Sequence, residues 1–333
     1  MGHVTVRTRR YNPDAPMKLS VVIVNYRTPD MTLKALAALM SELERYPDAQ
    51  VEVVDNDSGD DSVAKLEAGV REQGWTERVT VTHTERNGGF AYGNNHAIRR
   101  ALARADPPDL FYLLNSDAFP DPGSLACLVD FLEDRADVGI AGSYIHGPDG
   151  DFHITAFRFP TVWSELEGSA RLGLLTRLLR RSVVPLPLPE RSREVDWLAG
   201  ASMLIRREVI EEIGLLDETF FLYFEETDFC RRARLAGWPT WYVRDSSVTH
   251  IGSVSTGMKE RSRRMPEFWF ASRRHYFRKN HGVLYLAAAN LLWLVGFGTW
   301  RLRRLVQGKP DPDPPRLLGD FIRYNLLGVR ADS

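Results

Sequence analysis

Four short apolar runs, each followed by a stretch of different period, constrain this chain more than any other feature. Leu19-Ser-Val-Val-Ile-Val-Asn-Tyr26 is a nearly unbroken β-branched run, the pattern of a strand buried on both faces of a parallel sheet. Further strands are expected at 51–55, 79–84 and 110–114, separated by helices at 29–45, 62–73 and 94–105. In the first helix Leu33, Leu36, Ala37, Met40 and Leu43 recur at helical spacing. This βαβαβαβ rhythm predicts an α/β fold with a mostly parallel, doubly wound sheet and right-handed crossovers. Ligands of such sheets gather at the carboxyl ends of the strands.

Those ends are polar here: Asn25 and Tyr26, then 55–57, then 87–95, then 115–117, all expected to face one crevice. After 139–144 the rhythm breaks, and 160–195 holds a helix-like piece followed by Val-Val-Pro-Leu-Pro-Leu-Pro, expected as a loop over the site. Residues 197–250 read as strand, helix, Glu-rich turn, helix and strand, completing the same domain. A chain of 333 residues, 44% hydrophobic and 26% charged, can bury a full core and is neither a disordered tail nor a polytopic membrane protein. The net charge of −1 argues against a dedicated nucleic-acid binder. Cys127 and Cys230 stand outside any metal or redox spacing and are expected as buried small hydrophobes. No apolar run follows the opening Met-Gly-His-Val, so no secretory signal is expected and a reducing cytoplasm is the default.

Asn115-Ser116-Asp117 places a carboxylate just past a buried strand, which suits a hard cation completed by a diphosphate, or equally a helix cap near Pro120. Asp55-Asn56-Asp57-Ser58-Gly59-Asp60 can bond the base or ribose of a nucleotide, or be a turn with an Asp cap. In 87–95, Asn87, Gly88 and Asn94 sit where bare backbone N–H groups and a helix terminus meet a phosphate or sugar. The spacing is neither Gly-x-Gly-x-x-Gly nor a Gly-Lys-Ser/Thr phosphate loop, which disfavours a cofactor dehydrogenase and a P-loop nucleotidase. Glu225, Glu226 and Asp228 crowd three acids into four positions; such crowding raises carboxylate pKa values and suits a general base, while acids also favour a helix's first turn. His250 closes a strand-like segment as a metal ligand or a structural histidine.

Taken together these blocks resemble the family 2 glycosyltransferases of the GT-A fold, and within them the rhamnosyltransferase-like branch of cell-wall and O-antigen assembly. The carrying residues are Val-Val-Ile-Val-Asn-Tyr, Val-Asp-Asn-Asp-Ser, Asn-Gly-Gly-Phe-Ala-Tyr-Gly-Asn-Asn, Leu-Leu-Asn-Ser-Asp, Trp-Leu-Ala-Gly-Ala-Ser-Met-Leu-Ile-Arg-Arg and Gly-Leu-Leu-Asp-Glu-Thr-Phe-Phe-Leu-Tyr-Phe-Glu-Glu-Thr-Asp-Phe-Cys, spanning Leu19 to His281. The resemblance implies a Rossmann-like GT-A domain at 18–258; residues 1–17, mixing Arg, Pro and Asp without period, are expected as a flexible arm before it. It implies that Asn25, Tyr26, Asp55, Asn56, Asn87, Gly88, Asn94, Asn115 and Ser116 bind the nucleotide-sugar, and that Asp117, with His250, holds Mg²⁺ or Mn²⁺. The family's Glu-Asp pair stands here as Glu225-Glu226, so Glu226 is the implied base, with Glu225 and then Asp228 as alternatives. The implied reaction is transfer with inversion from a nucleoside diphosphate sugar, dTDP-rhamnose by analogy, to a cell-envelope glycan or lipid-diphosphate acceptor. The Gln-x-x-Arg-Trp signature of processive synthases is missing, so one or a few sugars are expected rather than a polymer.

The competing enzyme is a nucleotidyltransferase that makes the sugar nucleotide; it calls for a Gly-rich, basic loop after the first strand, and Asn25-Tyr-Arg-Thr-Pro29 is not one. A carbohydrate-binding protein is the other class, in which the acids at 225–228 have no purpose. The 259–333 region is basic and hydrophobic. Its apolar run at 283–300, broken in polarity only by Asn290 and Thr299, barely suffices to cross a ~30 Å hydrocarbon core and is flanked by arginines on both sides. It is expected as a helix lying on the inner face of the cell membrane, ahead of a buried helix or a span.

Overall fold

The structure, a computed structural model, describes residues 17–252 and 263–326. The arm expected at 1–17 lies outside them except for Met17, which is buried in the core, and the domain boundary expected at 258 lies outside them as well. In chain order the elements are β1 (Leu19–Asn25), α1 (Pro29–Glu42), β2 (Gln50–Asp55), α2 (Ser62–Glu72), β3 (Val79–His83), α3 (Gly89–Leu102), β4 (Leu110–Asn115), β5 (Ala118–Pro120), α4 (Ser124–Asp134) and β6 (Ile140–His146). They continue with β7 (Ala156–Phe157), α5 (Val162–Ala170), α6 (Gly173–Leu178), β8 (Arg193–Val195), β9 (Trp197–Leu198), β10 (Ser202–Arg206), α7 (Arg207–Ile213), α8 (Glu225–Leu235) and β11 (Thr240–His250). The C-terminal part holds α9 (Glu267–His281), α10 (Val283–Val306) and α11 (Leu317–Phe321), followed by a π-helical turn at Ile322–Leu326.

The expected alternation produces the order β3-β2-β1-β4, all parallel. Beyond β4 the sheet is mixed: β10 inserts antiparallel, then β6 and β11 run parallel to each other, and β5 and β8 pair antiparallel with β11. Both faces are packed. Val21, Ile23, Leu110 and Tyr112 join the core on one side, while the alternating Val22, Phe111 and Leu113 join the core on the other, as the two-fold strand period requires.

Three local expectations are corrected. The third helix starts at Gly89, not Asn94, because Asn87 Oδ1 accepts the Gly89 N–H at 3.1 Å and Gly89 takes φ +84. A side chain at Gly89 would drive its Cβ to 1.7 Å from the Phe221 carbonyl oxygen, so only glycine lets the 214–224 loop dock here. No helix begins near Pro120; residues 118–120 are β5 and the helix starts at Ser124, which removes the capping role for Asp117. Glu225 and Glu226 sit in the first turn of α8 rather than in a turn before it.

The C-terminal helices pack on this frame. Arg273 of α9 is buried and donates to Glu165 Oε2 of α5 (2.9 and 2.7 Å), to Asn290 Oδ1 of α10 (2.8 Å) and to Asn325 Oδ1 (3.0 Å). A buried charge is tolerated only when so paired. Helix α10 approaches α5 closely at Gly296, where a Cβ would meet Ser169 Oγ at 2.1 Å.

Candidate active site

Parallel register sets the strand ends side by side: Asn25 is the Cα partner of Asp55, and Asn115 of Val24. Most of the polar side chains there turn inward. Asn25 is fully buried, donating to Asp55 Oδ2 (2.7 Å) and accepting from Thr32 Oγ1 (2.8 Å). Asp55 also accepts from the Ser58 N–H and hydroxyl at 3.0 and 2.6 Å. Asn56 donates to Asn87 Oδ1 and the Gly89 carbonyl, both at 3.0 Å, and accepts from Thr84. Asn94 is buried and donates to the Phe90 carbonyl at 2.9 Å. Asn25, Asp55 and Asn56 thus tie together the loops around the crevice, while Asn94 bonds back within α3. Tyr26, Asn87 and Asn115 are the predicted contacts that keep partial exposure, whereas Gly88 and Ser116 are buried. Arg27, at φ +57, lies 5.1 Å from the Tyr26 ring centroid and donates to the Ser58 carbonyl, adding a cation that sequence reading missed.

Asp117 and His250 meet because β5 pairs antiparallel with the end of β11, with Ala118 opposite His250. His250 Nε2 lies 3.0 Å from Asp117 Oδ1. Burial pushes the Asp117 carboxyl up, but the hydrogen bond and charge of His250, together with backbone N–H bonds, outweigh it and hold the carboxyl below its ordinary range. His153, from the segment after β6, stands edge-on to His250 with centroids 6.1 Å apart. Among the described residues no three His, Cys, Asp or Glu side chains converge as a metal cage. A pair of oxygen and nitrogen donors could serve a hard divalent cation only if a diphosphate and water supplied its remaining positions.

The acidic segment divides by environment. Asp228 is fully buried and accepts from Arg232 Nε (2.8 Å), Lys279 Nζ (2.7 Å) and Asn280 Nδ2 (2.9 Å), so its oxygens tie α8 to α9 and are not open for proton transfer. Glu225 is buried as well; burial and then the neighbouring Glu226 charge push its carboxyl well up. Glu226 is raised to about 7 by burial, partly offset by backbone N–H bonds from itself and Gly200. The Oε2 atoms of both glutamates are buried with no hydrogen-bond partner among the described residues. Glu226 alone of the three lines a cavity of about 330 Å³, which Glu165, Trp197, Tyr223 and Trp269 also wall. Tyr223 and Phe224, just before α8, both hold left-handed φ values of +68 and +71, backbone strain that presents the helix start to this cavity. The 199–201 segment spans from cavity to strand end: Gly200 bonds Glu226, and the Ala201 carbonyl accepts the Asn115 N–H at 3.1 Å. Sequence reading missed Glu165 and Trp269, because a helix pair distant in sequence reveals no shared wall until packed.

A model of the family described as "Glycosyltransferase like family 2" matches residues 15–280. The N-acetylglucosaminyl-diphospho-decaprenol L-rhamnosyltransferase of Mycobacterium tuberculosis (strain H37Rv) is 29% identical over 249 residues, covering 72% of this chain and 78% of that protein. The rhamnosyltransferase WbbL of Escherichia coli K12 is 26% identical over 164 residues, covering 49% of this chain and 60% of that protein. Among solved structures, the mannosyltransferase PcManGT from Pyrobaculum calidifontis, in complex with GDP-Man and Mn²⁺, aligns at TM-score 0.56 and 14% identity, over 95% of this chain and 82% of that one. That last likeness is one of fold, GT-A.

Proposed function

The chain belongs to the family 2 glycosyltransferases, and from that premise we propose that it moves one sugar, with inversion, from a nucleoside diphosphate to a lipid-linked cell-envelope glycan. The observation that carries the proposal is Glu226: it lines the cavity, its Oε2 is buried without a hydrogen-bond partner among the described residues, and its carboxyl is raised to about 7 so that it can hold and release a proton near neutrality. Glu226 takes the proton of the acceptor hydroxyl as that oxygen bonds the anomeric carbon. The bond from that carbon to the diphosphate breaks, and its electron pair departs with the nucleoside diphosphate. Glu225, whose carboxyl burial pushes well up and which does not line the cavity, is not the base in this reading. Asp117 and His250 would hold Mg²⁺ or Mn²⁺, which would supply positive charge to offset that of the departing diphosphate. Tyr26, Asn87 and Asn115 contact the nucleotide from the ends of β1, β3 and β4, the first two tied to the β2 end by Asn25, Asp55 and Asn56.

The names of the two relatives support rhamnose as the sugar, and the first supports its L form and a diphosphate-lipid acceptor; dTDP-rhamnose as donor rests on the family resemblance alone. Placement on the inner face of the membrane is supported by α10. Its outward residues, from Val283 and Leu284 through Leu291, Val295 and Leu302 to Val306, carry no charge. Asn290 turns inward to Arg273, and Thr299, although exposed, donates its hydroxyl to the Val295 carbonyl at 2.8 Å.

Incubation with Mg²⁺ or Mn²⁺, a panel of nucleotide sugars and a polyprenyl-diphosphate acceptor tests the proposal. Release of free nucleoside diphosphate with the extended acceptor is expected. Pyrophosphate instead would assign a nucleotidyltransferase, and neither product across the panel would leave a binding protein.

A further inference from the structure

We propose that α6 and the turn after it, residues 171–181, form a second membrane contact that selects negatively charged lipid, separate from the apolar stripe of α10. The inference rests on the membrane placement proposed above and names the lipid chemistry that placement requires. Helix α10 supplies apolar surface but little free charge. Arg301 and Arg304, which follow its apolar run, are both held by Asp311, and Arg303 donates to the Arg171 carbonyl. Before the run, Arg273 is buried against Glu165, and Lys279 lies 2.7 Å from both Asp217 and Asp228. Most of the cations that flank α10 in the sequence are thus spent inside the protein, where an anionic surface gains little from them.

The opposite holds at α6. From Gly168 to Pro189 the chain carries four arginines and no aspartate or glutamate. Arg171 is spent on Asp313 at 2.6 Å. Arg177, Arg180 and Arg181 are exposed and pair with no carboxylate among the described residues. Leu174 and Leu178, 64% and 73% exposed, lie one turn apart and so share a face of α6. Thr176 stands about 200° round the helix from Leu174, and its hydroxyl donates to Glu167 at 2.7 Å. The carboxylate bonded to α6 therefore lies on the side away from the leucines.

The two apolar patches are neighbours. Arg171, between α5 and α6, has its guanidinium 5.0 Å from the Trp300 ring centroid, and its carbonyl accepts from Arg303. These contacts set α6 beside the last turns of α10, where Leu302, Leu305 and Val306 are exposed. A leucine pair beside three unpaired arginines matches acyl chains lying under phosphate headgroups. Apolar insertion alone gives marginal, reversible membrane binding, and a basic patch supplies the second signal that makes it hold. Each arginine close to an anionic surface is worth about fivefold in affinity, so three free ones outweigh the paired cations of α10.

Co-sedimentation of the full chain with vesicles of phosphatidylcholine alone, and of phosphatidylcholine and phosphatidylglycerol in equal parts, tests the inference. The parent should bind the mixed vesicles about tenfold or more tightly than the neutral ones. The triple variant Arg177→Gln, Arg180→Gln, Arg181→Gln should lose most of that preference at unchanged melting temperature. Leu174→Ser with Leu178→Ser should weaken binding to both vesicles. Release of nucleoside diphosphate with a water-soluble, short-chain acceptor should be the same in all three proteins; its loss in either variant would assign the segment to acceptor binding and overturn the inference. A triple variant that keeps the parent's preference overturns this inference alone, as does a parent dimer that the leucine variant dissolves, since a second copy would then cover the face. A parent that binds neither vesicle sinks the membrane placement with it, and one that binds both alike removes the charge selection.

Discussion

At residue scale, Glu226 couples activity to stability through one carboxyl. Its ordinary value of 4.5 in the unfolded chain becomes about 7 in the folded one. Between those values the unfolded state has lost a proton that the folded state keeps, so this group's contribution falls as pH rises, by about 1.4 kcal/mol per unit, and levels off above about 7. Glu226→Gln removes the penalty. We expect that variant to melt higher than the parent at pH 8, in differential scanning calorimetry, while losing transfer by about 10²–10⁴-fold, the share of a general base. In the parent, kcat/KM should climb through about pH 7; a flat profile from pH 5.5 to 8.5 would remove Glu226 from the role. Of the residues around it, the acid cluster was legible as chemistry in the sequence, but the ranking within it was not. Adjacent glutamates look alike until packing buries one against protein and turns the other to a cavity.

At the scale of elements, α10 offers a matched pair of glycines. A Cβ at Gly296 would meet Ser169 Oγ at 2.1 Å and the Leu166 carbonyl at 2.7 Å, whereas one at Gly298 meets nothing within 4 Å. Gly296→Ala should therefore destabilise by about 1–3 kcal/mol through overpacking. Gly298→Ala should stabilise by about 0.5–1 kcal/mol through helix propensity, both read from urea midpoints at unchanged m value. Equal effects would show that α10 does not seat on α5 as described. Arg273→Met strips donors from Glu165, Asn290 and Asn325 at once, and we expect a loss of about 3–5 kcal/mol, the cost of breaking a buried ion pair from one side.

At the scale of the whole molecule, the outward face of α10 runs the length of 24 residues, roughly 36 Å, with Leu284 88% exposed and Leu291 60% exposed. A bare apolar stripe of that length on a soluble monomer marks a contact surface. The expected outcome is sedimentation with vesicles containing anionic lipid, weakened by salt and abolished in the double variant Leu284→Asp, Leu291→Asp. Binding by that variant equal to the parent would place the lipid contact elsewhere. The cavity lies close by, because α5 walls it on one side and packs against α10 on the other, so a membrane-held acceptor need not travel far to reach Glu226.

The periods of the sequence alone determined the parallel half of the sheet, since a two-face-buried strand must be a continuous apolar run and a crossover helix must repeat near 3.6 residues. The position of Asn115 and Asp117 at a strand end followed from the same counting. What only the tertiary structure decided was which polar residues face outward. Asn25, Asp55 and Asn56 bond across neighbouring strand-end loops, and a side chain's partner is set by folding, not by its place along a strand. The meeting of Asp117 with His250, 133 positions apart, and the cavity shared by α5, α8 and α9 were decided there too, because contacts between distant segments leave no local period to read.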